Sequence, residues 1–229
     1  MLETIWETIW EKIYQTFIYQ DRYLFFVEGL KVTLLLTLTS FILGTAVGAL
    51  LCAGSRSKHG WIRKLTRLMM SLFTEIPTMM LLMIFVYIIF GSSAMPVMWI
   101  VAIALMLKAA AYLAEIFNSA LDTVDVGEIE AARTLGMSRL QAFRYVALPQ
   151  TIVAALPLYK NQFILSMQET SVVGYLAVVD LTRAASIVQS RTLDAFFGLI
   201  TVTLIYFLIG GIFKGLFALV SKRMEGEPA

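Results

Sequence analysis

The chain has 229 residues, 59% of them hydrophobic and only 15% charged, with a mean hydropathy of +0.79. Soluble domains hold about 45–50% apolar and about 25% charged residues, so an ordinary soluble domain is excluded. A net charge of +2, with no basic patch interleaved with aromatics, argues against a nucleic-acid partner. The single cysteine, Cys52, leaves no internal disulfide framework, and with the lone His59 it assembles no transition-metal site.

The first 20 residues lack the basic start and unbroken apolar stretch of a secretory signal. Ile5, Ile9, Ile13 and Phe17 recur at four-residue spacing beside Trp6, Trp10 and Tyr14, with Glu3, Glu7 and Glu11 on the other side. The predicted element is an amphipathic helix over 1–22, resting on the membrane interface or packing on a partner subunit.

Five apolar runs follow, near 30–53, 68–90, 96–117, 151–173 and 195–220. A span needs about 20 mostly apolar residues, because each backbone amide must be satisfied within the helix. The predicted fold is therefore all-α and integral to the membrane, with five transmembrane helices in a domain over 23–222. In the first run Gly44 and Gly48 stand at a spacing that lets helices approach closely, within one subunit or between two. In the second, Pro77 predicts a kink. Positive charge alternates between loops. Arg56, Lys58, Arg63, Lys64 and Arg67 follow the first run, Arg133, Arg139 and Arg144 the third, and Lys222 and Arg223 the fifth. The richer loops belong in the cytoplasm, which puts the N-terminus and residues 1–22 outside, and the tail over 223–229 inside.

The cytoplasmic stretch 122–150 is too long for a plain connector. Asp125 predicts an N-cap, with Glu128 three residues on as in a capping box. Gly136 predicts a left-handed end to a first short helix, Ser138 a cap for a second, and Leu148-Pro149 its end. Small residues at Ala131, Ala132 and Gly136 let another protein approach the backbone.

Glu130-Ala131-Ala132, then Gly136, then Leu148-Pro149 resembles the EAA signature of membrane subunits of bacterial ABC importers. The strings 110–117, 127–130, 148–150, 161–163 and Thr170-Ser171 narrow the resemblance to polar amino-acid permeases of the histidine and glutamine type, over roughly residues 29–220. The resemblance implies a type I importer permease fold in the bacterial plasma membrane. It implies that 122–150 forms a coupling helix seated in a cytoplasmic ATPase dimer, with Glu130, Ala131, Ala132 and Gly136 in the contact. It further implies a second permease subunit, identical or homologous, and an extracytoplasmic solute-binding protein. No G-x-x-x-x-G-K-[ST] loop is present, so the chain is not expected to be an enzyme or to hold a cofactor. Mg-ATP belongs to the partner ATPase.

Ionisable residues inside spans are costly and point to function. Lys108, Tyr112 and Glu115 share one face of the third span at i, i+4 and i+7. Lys160 and Glu169 lie nine apart in the fourth and point to different sides, and Gln168, Glu169, Thr170 and Ser171 close it. These residues predict a polar chamber in which a lysine meets a carboxylate and a glutamate an amine. Relative to the family, Lys108 replaces an asparagine, Lys160 a glycine, Gln168-Glu169 a Lys-Asp, Asn118 an arginine and Thr74-Glu75-Ile76-Pro77 an Arg-Gly-Thr-Pro. The expected function is an importer permease for an amino acid or related small polar solute, working by alternating access. An ion-coupled secondary transporter or channel is the alternative.

Overall fold

A computed structural model describes residues 2–225, and within it the side chains of 2–5, 8, 220 and 223–225 are left undescribed. The expected side-chain contributions of Glu3 and Ile5, and residues 226–229 of the expected tail over 223–229, therefore lie outside what is described. The described chain is helical, with no strand. In order come α1 (Leu2–Ile13), α2 (Tyr23–Ser55), α3 (Gly60–Glu75), α4 (Thr78–Met83), α5 (Val97–Asp122), α6 (Val126–Thr134), α7 (Arg139–Ala142), α8 (Leu148–Glu169), α9 (Leu181–Thr192) and α10 (Ala195–Glu225).

Three of these, α2, α5 and α10, are unbroken, apolar and long enough to cross a bilayer. Two bent pairs, α3 with α4 and the run from α7 through α8 with α9, bring the candidate spans to as many as five where each pair counts as one. The second span was predicted as one kinked helix. It is interrupted instead, because Ile76 precedes Pro77 and adopts an extended backbone (φ −73°, ψ 128°). The fourth run departs in the opposite sense. Leu148-Pro149 does not end a helix, since α7 widens through Phe143–Ala147 and continues into α8. Proline crowds the carbonyl four residues back, Tyr145, and the wide turn lies at that place. The stretch after Leu176, which lies between the fourth and fifth apolar runs, is largely α9.

The chain divides into two compact units, each assembled from separate stretches of sequence. The first comprises residues up to Thr39, Thr78–Ala104 and Ser166–Ile212. Its core is Phe26, Leu181, Ala185, Val188 and Val202. Gly29 lets α2 meet the start of α9, where an added Cβ would stand 2.7 Å from the Asp180 carbonyl. Asp180 is fully buried and caps α9 by accepting from the amides of Arg183 (2.9 Å) and Thr182 (3.1 Å). The Thr33 hydroxyl accepts from the next free amide, Leu181, at 3.1 Å. The N-terminal segment joins this unit. Lys12 pairs with Asp194 at 2.9 Å, Phe17 packs on Phe26, and Arg22 donates to the Gln15 carbonyl at 2.7 Å. Gln20 and Asp21 take left-handed backbone angles at the corner before α2.

The second unit comprises Ser40–Pro77, Leu105–Leu165 and the chain from Phe213. Phe41, Ala109, Leu113, Phe163 and Ile164 form its core, and Phe163 stacks edge-on to Phe41 and tilted to Phe213. Gly44 and Gly48 serve the contact of α2 with α5. A Cβ on Gly48 would lie 2.9 Å from the Ala110 carbonyl and 3.0 Å from Leu113 Cβ.

Two outcomes follow. Gly48→Leu should lower the thermal midpoint in detergent strongly, by the 1–3 kcal/mol or more of an overpacked helix contact. Gly60→Ala, with open space around it, should leave the midpoint unchanged or raise it slightly. Asp194 is held below its ordinary value of 3.8, first by the hydrogen bond from Lys12 and less by the Phe197 and Phe196 amides, against a desolvation that raises it. A lowered carboxylate contributes stability above its ordinary value and loses it as pH falls through the folded value. Proteolysis within 1–22 should thus stay slow at neutral pH, rise below about pH 3.8, and be fast at every pH in Lys12→Met. Cleavage indifferent to both changes would show that the pair does not hold the segment.

Candidate functional site

The stretch 122–150 is built from local signals. Asp125 caps α6 by accepting from the Gly127 amide at 2.8 Å. Glu128 does not close a capping box; its carboxylate accepts from the Gln150 side chain and ties the start of α6 to the start of α8. Gly136 ends α6 with φ +91°. The Met137 amide reaches back to the Ala132 carbonyl (3.2 Å) and the Gly136 amide to Arg133 (3.1 Å), the paired bonds of a Schellman end. Ser138 and Gln141 then form a reciprocal capping box for α7.

Glu130, Ala131 and Gly136 face outward, whereas Ala132 is turned into the unit. Large apolar side chains stand exposed around them: Val126, Leu135 (84%), Leu140 (74%) and Tyr145.

The intramembrane residues fall into two groups. In the second unit, Lys108 is buried (3% exposed) and its ammonium donates to the Ile76 carbonyl at 2.7 Å. Tyr112 donates to the Thr74 carbonyl at 3.1 Å, and the Lys108 ammonium lies 5.7 Å over the Tyr112 ring. The Thr74 carbonyl lies in the last turn of α3 and the Ile76 carbonyl on the extended residue just past it, so both stand at the break without helical donors, beside the negative end of the helix dipole. Lys108 thus meets backbone rather than standing open to a solute. Glu115, by contrast, is exposed, with Thr74 and Glu75 near its carboxyl. It lines an open groove of about 310 Å³ with Tyr112, Ser119, Asn161 and Gln162, and with Leu158 and Leu165. Lys160 is half-buried on α8 and is not part of that lining.

In the first unit, Glu169 accepts from the Thr78 hydroxyl at 2.9 Å, so the two chain ends at the breaks are joined there. Thr170 is buried and donates to the Met167 carbonyl at 2.7 Å, Ser171 is half-buried, and Gln168 is exposed. Sequence reasoning did not single out Ser119 or Thr78, and used Asn161 and Gln162 only as part of a family string. Their polarity inside apolar runs was the available signal.

Comparison with known proteins bears on this arrangement. Residues 44–226 match the family described as binding-protein-dependent transport system inner membrane component. A probable amino-acid permease protein, YxeN of Bacillus subtilis (strain 168), is 32% identical over 203 residues, covering 87% of this chain and 91% of its own. The histidine/lysine/arginine/ornithine transport system permease protein HisM of Salmonella typhimurium is 29% identical over 221 residues, covering 92% and 93%. A crystal structure of an amino acid ABC transporter with histidines superposes with a TM-score of 0.82 at 32% identity, over 90% of this chain and 98% of that one. The chain belongs to the inner-membrane components of binding-protein-dependent transport systems, as a permease subunit of an ATP-binding-cassette importer.

Proposed function

We propose that this subunit passes an amino acid or a related small zwitterion across the bacterial plasma membrane by alternating access. The relatives named above support the solute class. The groove on α5 and α8 supports it chemically, and that is the observation the reading rests on. Glu115 offers a carboxylate to an ammonium group, and Ser119 and Asn161 offer a hydroxyl and an amide to a carboxylate.

In this reading 122–150 is the cytoplasmic docking segment for an ATPase dimer, with Glu130, Ala131, Ala132 and Gly136 at the contact. The exposed Leu135 and Leu140 beside a capped turn support it. The ATPase supplies Mg-ATP hydrolysis, and this chain supplies the pathway. A second permease subunit covers the polar face of α5 and α8, which lipid would leave unsatisfied. A solute-binding protein delivers cargo at the outer surface. The loop charges support an outside N-terminus and an inside C-terminus. Residues 23–222 form the permease domain, 1–22 its outer appendage and 223–229 its inner tail.

Reconstitution with the ATPase tests both parts. Gly136→Leu should insert and fold but lose most ATP-driven uptake, because a side chain at φ +91° is strained, by about 1–2 kcal/mol or more. Gly136→Asn, which tolerates left-handed angles, should keep more activity. Wild-type uptake by the leucine variant removes the docking assignment. Glu115→Gln should weaken apparent solute affinity ten-fold or more, as loss of a charge-assisted hydrogen bond of about 1.5–3 kcal/mol requires. Glu169→Ala should reduce uptake more than it reduces expression. Unaltered kinetics in either variant takes that residue out of the pathway, and uptake driven by an ion gradient without ATP would favour a secondary transporter.

A further inference from the structure

The second unit also holds a cavity, of about 510 Å³, on a different face of α8. Its floor is Ala49 and Ala53 of α2, and its walls are Phe117 and Leu121 of α5 and Ile152 and Leu156 of α8. The polar groups in its lining are bonded inside the protein. The Thr45 hydroxyl bonds to the Phe41 carbonyl and the Tyr159 hydroxyl, at 2.8 and 2.9 Å. Thr151 donates to the Ala147 carbonyl at 2.7 Å, and Cys52 to the Asn118 side chain at 3.5 Å. Water gains little in such a space, because it finds no partners along the walls. The phase beside these spans is hydrocarbon.

Arg56 stands in the lining one residue past the end of α2. Its Nε donates to the Asn118 side chain at 2.8 Å, and its Nη2 to the Asn118 carbonyl at 3.0 Å and to Asp122. These bonds fix the guanidinium at the edge of the groove, with its side chain 41% exposed. Asp122 is the acid that faces it. Around it the sequence is strongly positive: Arg56, Lys58, Arg63, Lys64 and Arg67 occur with no Asp or Glu before Glu75.

We propose that this groove holds an acyl chain of an anionic phospholipid, with the phosphate on Arg56. The walls demand a guest that is hydrocarbon along its length, and the loop charge selects one that is anionic at its end. Phe143 and Leu148 also line the groove, and both belong to the helical run that the Ser138 cap begins. A bound lipid therefore braces the root of the docking segment, and membrane composition regulates coupling.

The assembled transporter, exchanged into nanodiscs of phosphatidylglycerol and phosphatidylcholine, is released for native mass spectrometry. Wild type should retain phosphatidylglycerol on each permease subunit. Arg56→Gln should retain at least five-fold less of it, and Ala53→Trp, which fills the groove, should retain neither lipid. Phe207→Ala, an exposed position on α10 that is not part of the groove's lining, should behave as wild type. ATP hydrolysis should be several-fold faster in phosphatidylglycerol than in phosphatidylcholine for wild type, and equal in both for Arg56→Gln. Should Ala53→Trp fail to assemble, Arg56→Gln and wild type still decide the matter. Equal retention by these two, or equal retention of both lipids by wild type, overturns the proposal. So does a disulfide between Ala53→Cys and the second permease subunit, which would make the groove a subunit interface.

Discussion

A carbonyl inside a bilayer has no water to accept from, so a broken span survives only where other groups bond the ends of its pieces. Pro77 forces such a break, and the carbonyls of Thr74 and Ile76 are left open by it. Lys108 and Tyr112, one turn apart on α5, close them. A buried lysine is expensive on its own, yet here a helix C-terminus supplies the negative potential that favours its charge. The interruption before α9 is handled in the same way, by Asp180 from within and Thr33 from α2.

The same constraint explains which parts of the fold were legible in the sequence. Hydropathy marks where chain can enter lipid, so the runs that became α2, α5 and α10 were found, though each helix extends beyond the apolar stretch. Caps are local, so Asp125, Gly136 and Ser138 were readable from neighbours within four residues. Breaks and continuations were not. Whether Pro77 kinks or severs a helix depends on donors that arrive from Lys108 and Tyr112, over thirty residues away in sequence. Pro149 is tolerated because the preceding turn widens, a choice no residue type announces.

The candidate residues of α5 show a related limit. Lys108, Tyr112 and Glu115 were grouped by helical spacing, and they do share a region of α5. Their roles diverge because their surroundings do: the first two meet a severed helix end, while Glu115 opens on a groove. Spacing identifies a common face, and only packing distinguishes a strut from a lining residue. Glu128 makes the same point, since its position suits a capping box but Gln150 claims its carboxylate.

The turn at Gly136 carries one more consequence. Both helices that flank it have their exposed ends satisfied internally, by Asp125, by the Schellman bonds and by the Ser138–Gln141 exchange. The segment is thus ordered before any partner arrives. Association with it need not be coupled to folding, so little conformational entropy opposes the encounter. Under the docking proposed above, the heat-capacity change on binding should reflect the apolar area that Leu135 and Leu140 bury, and not the larger value of a chain that folds as it binds.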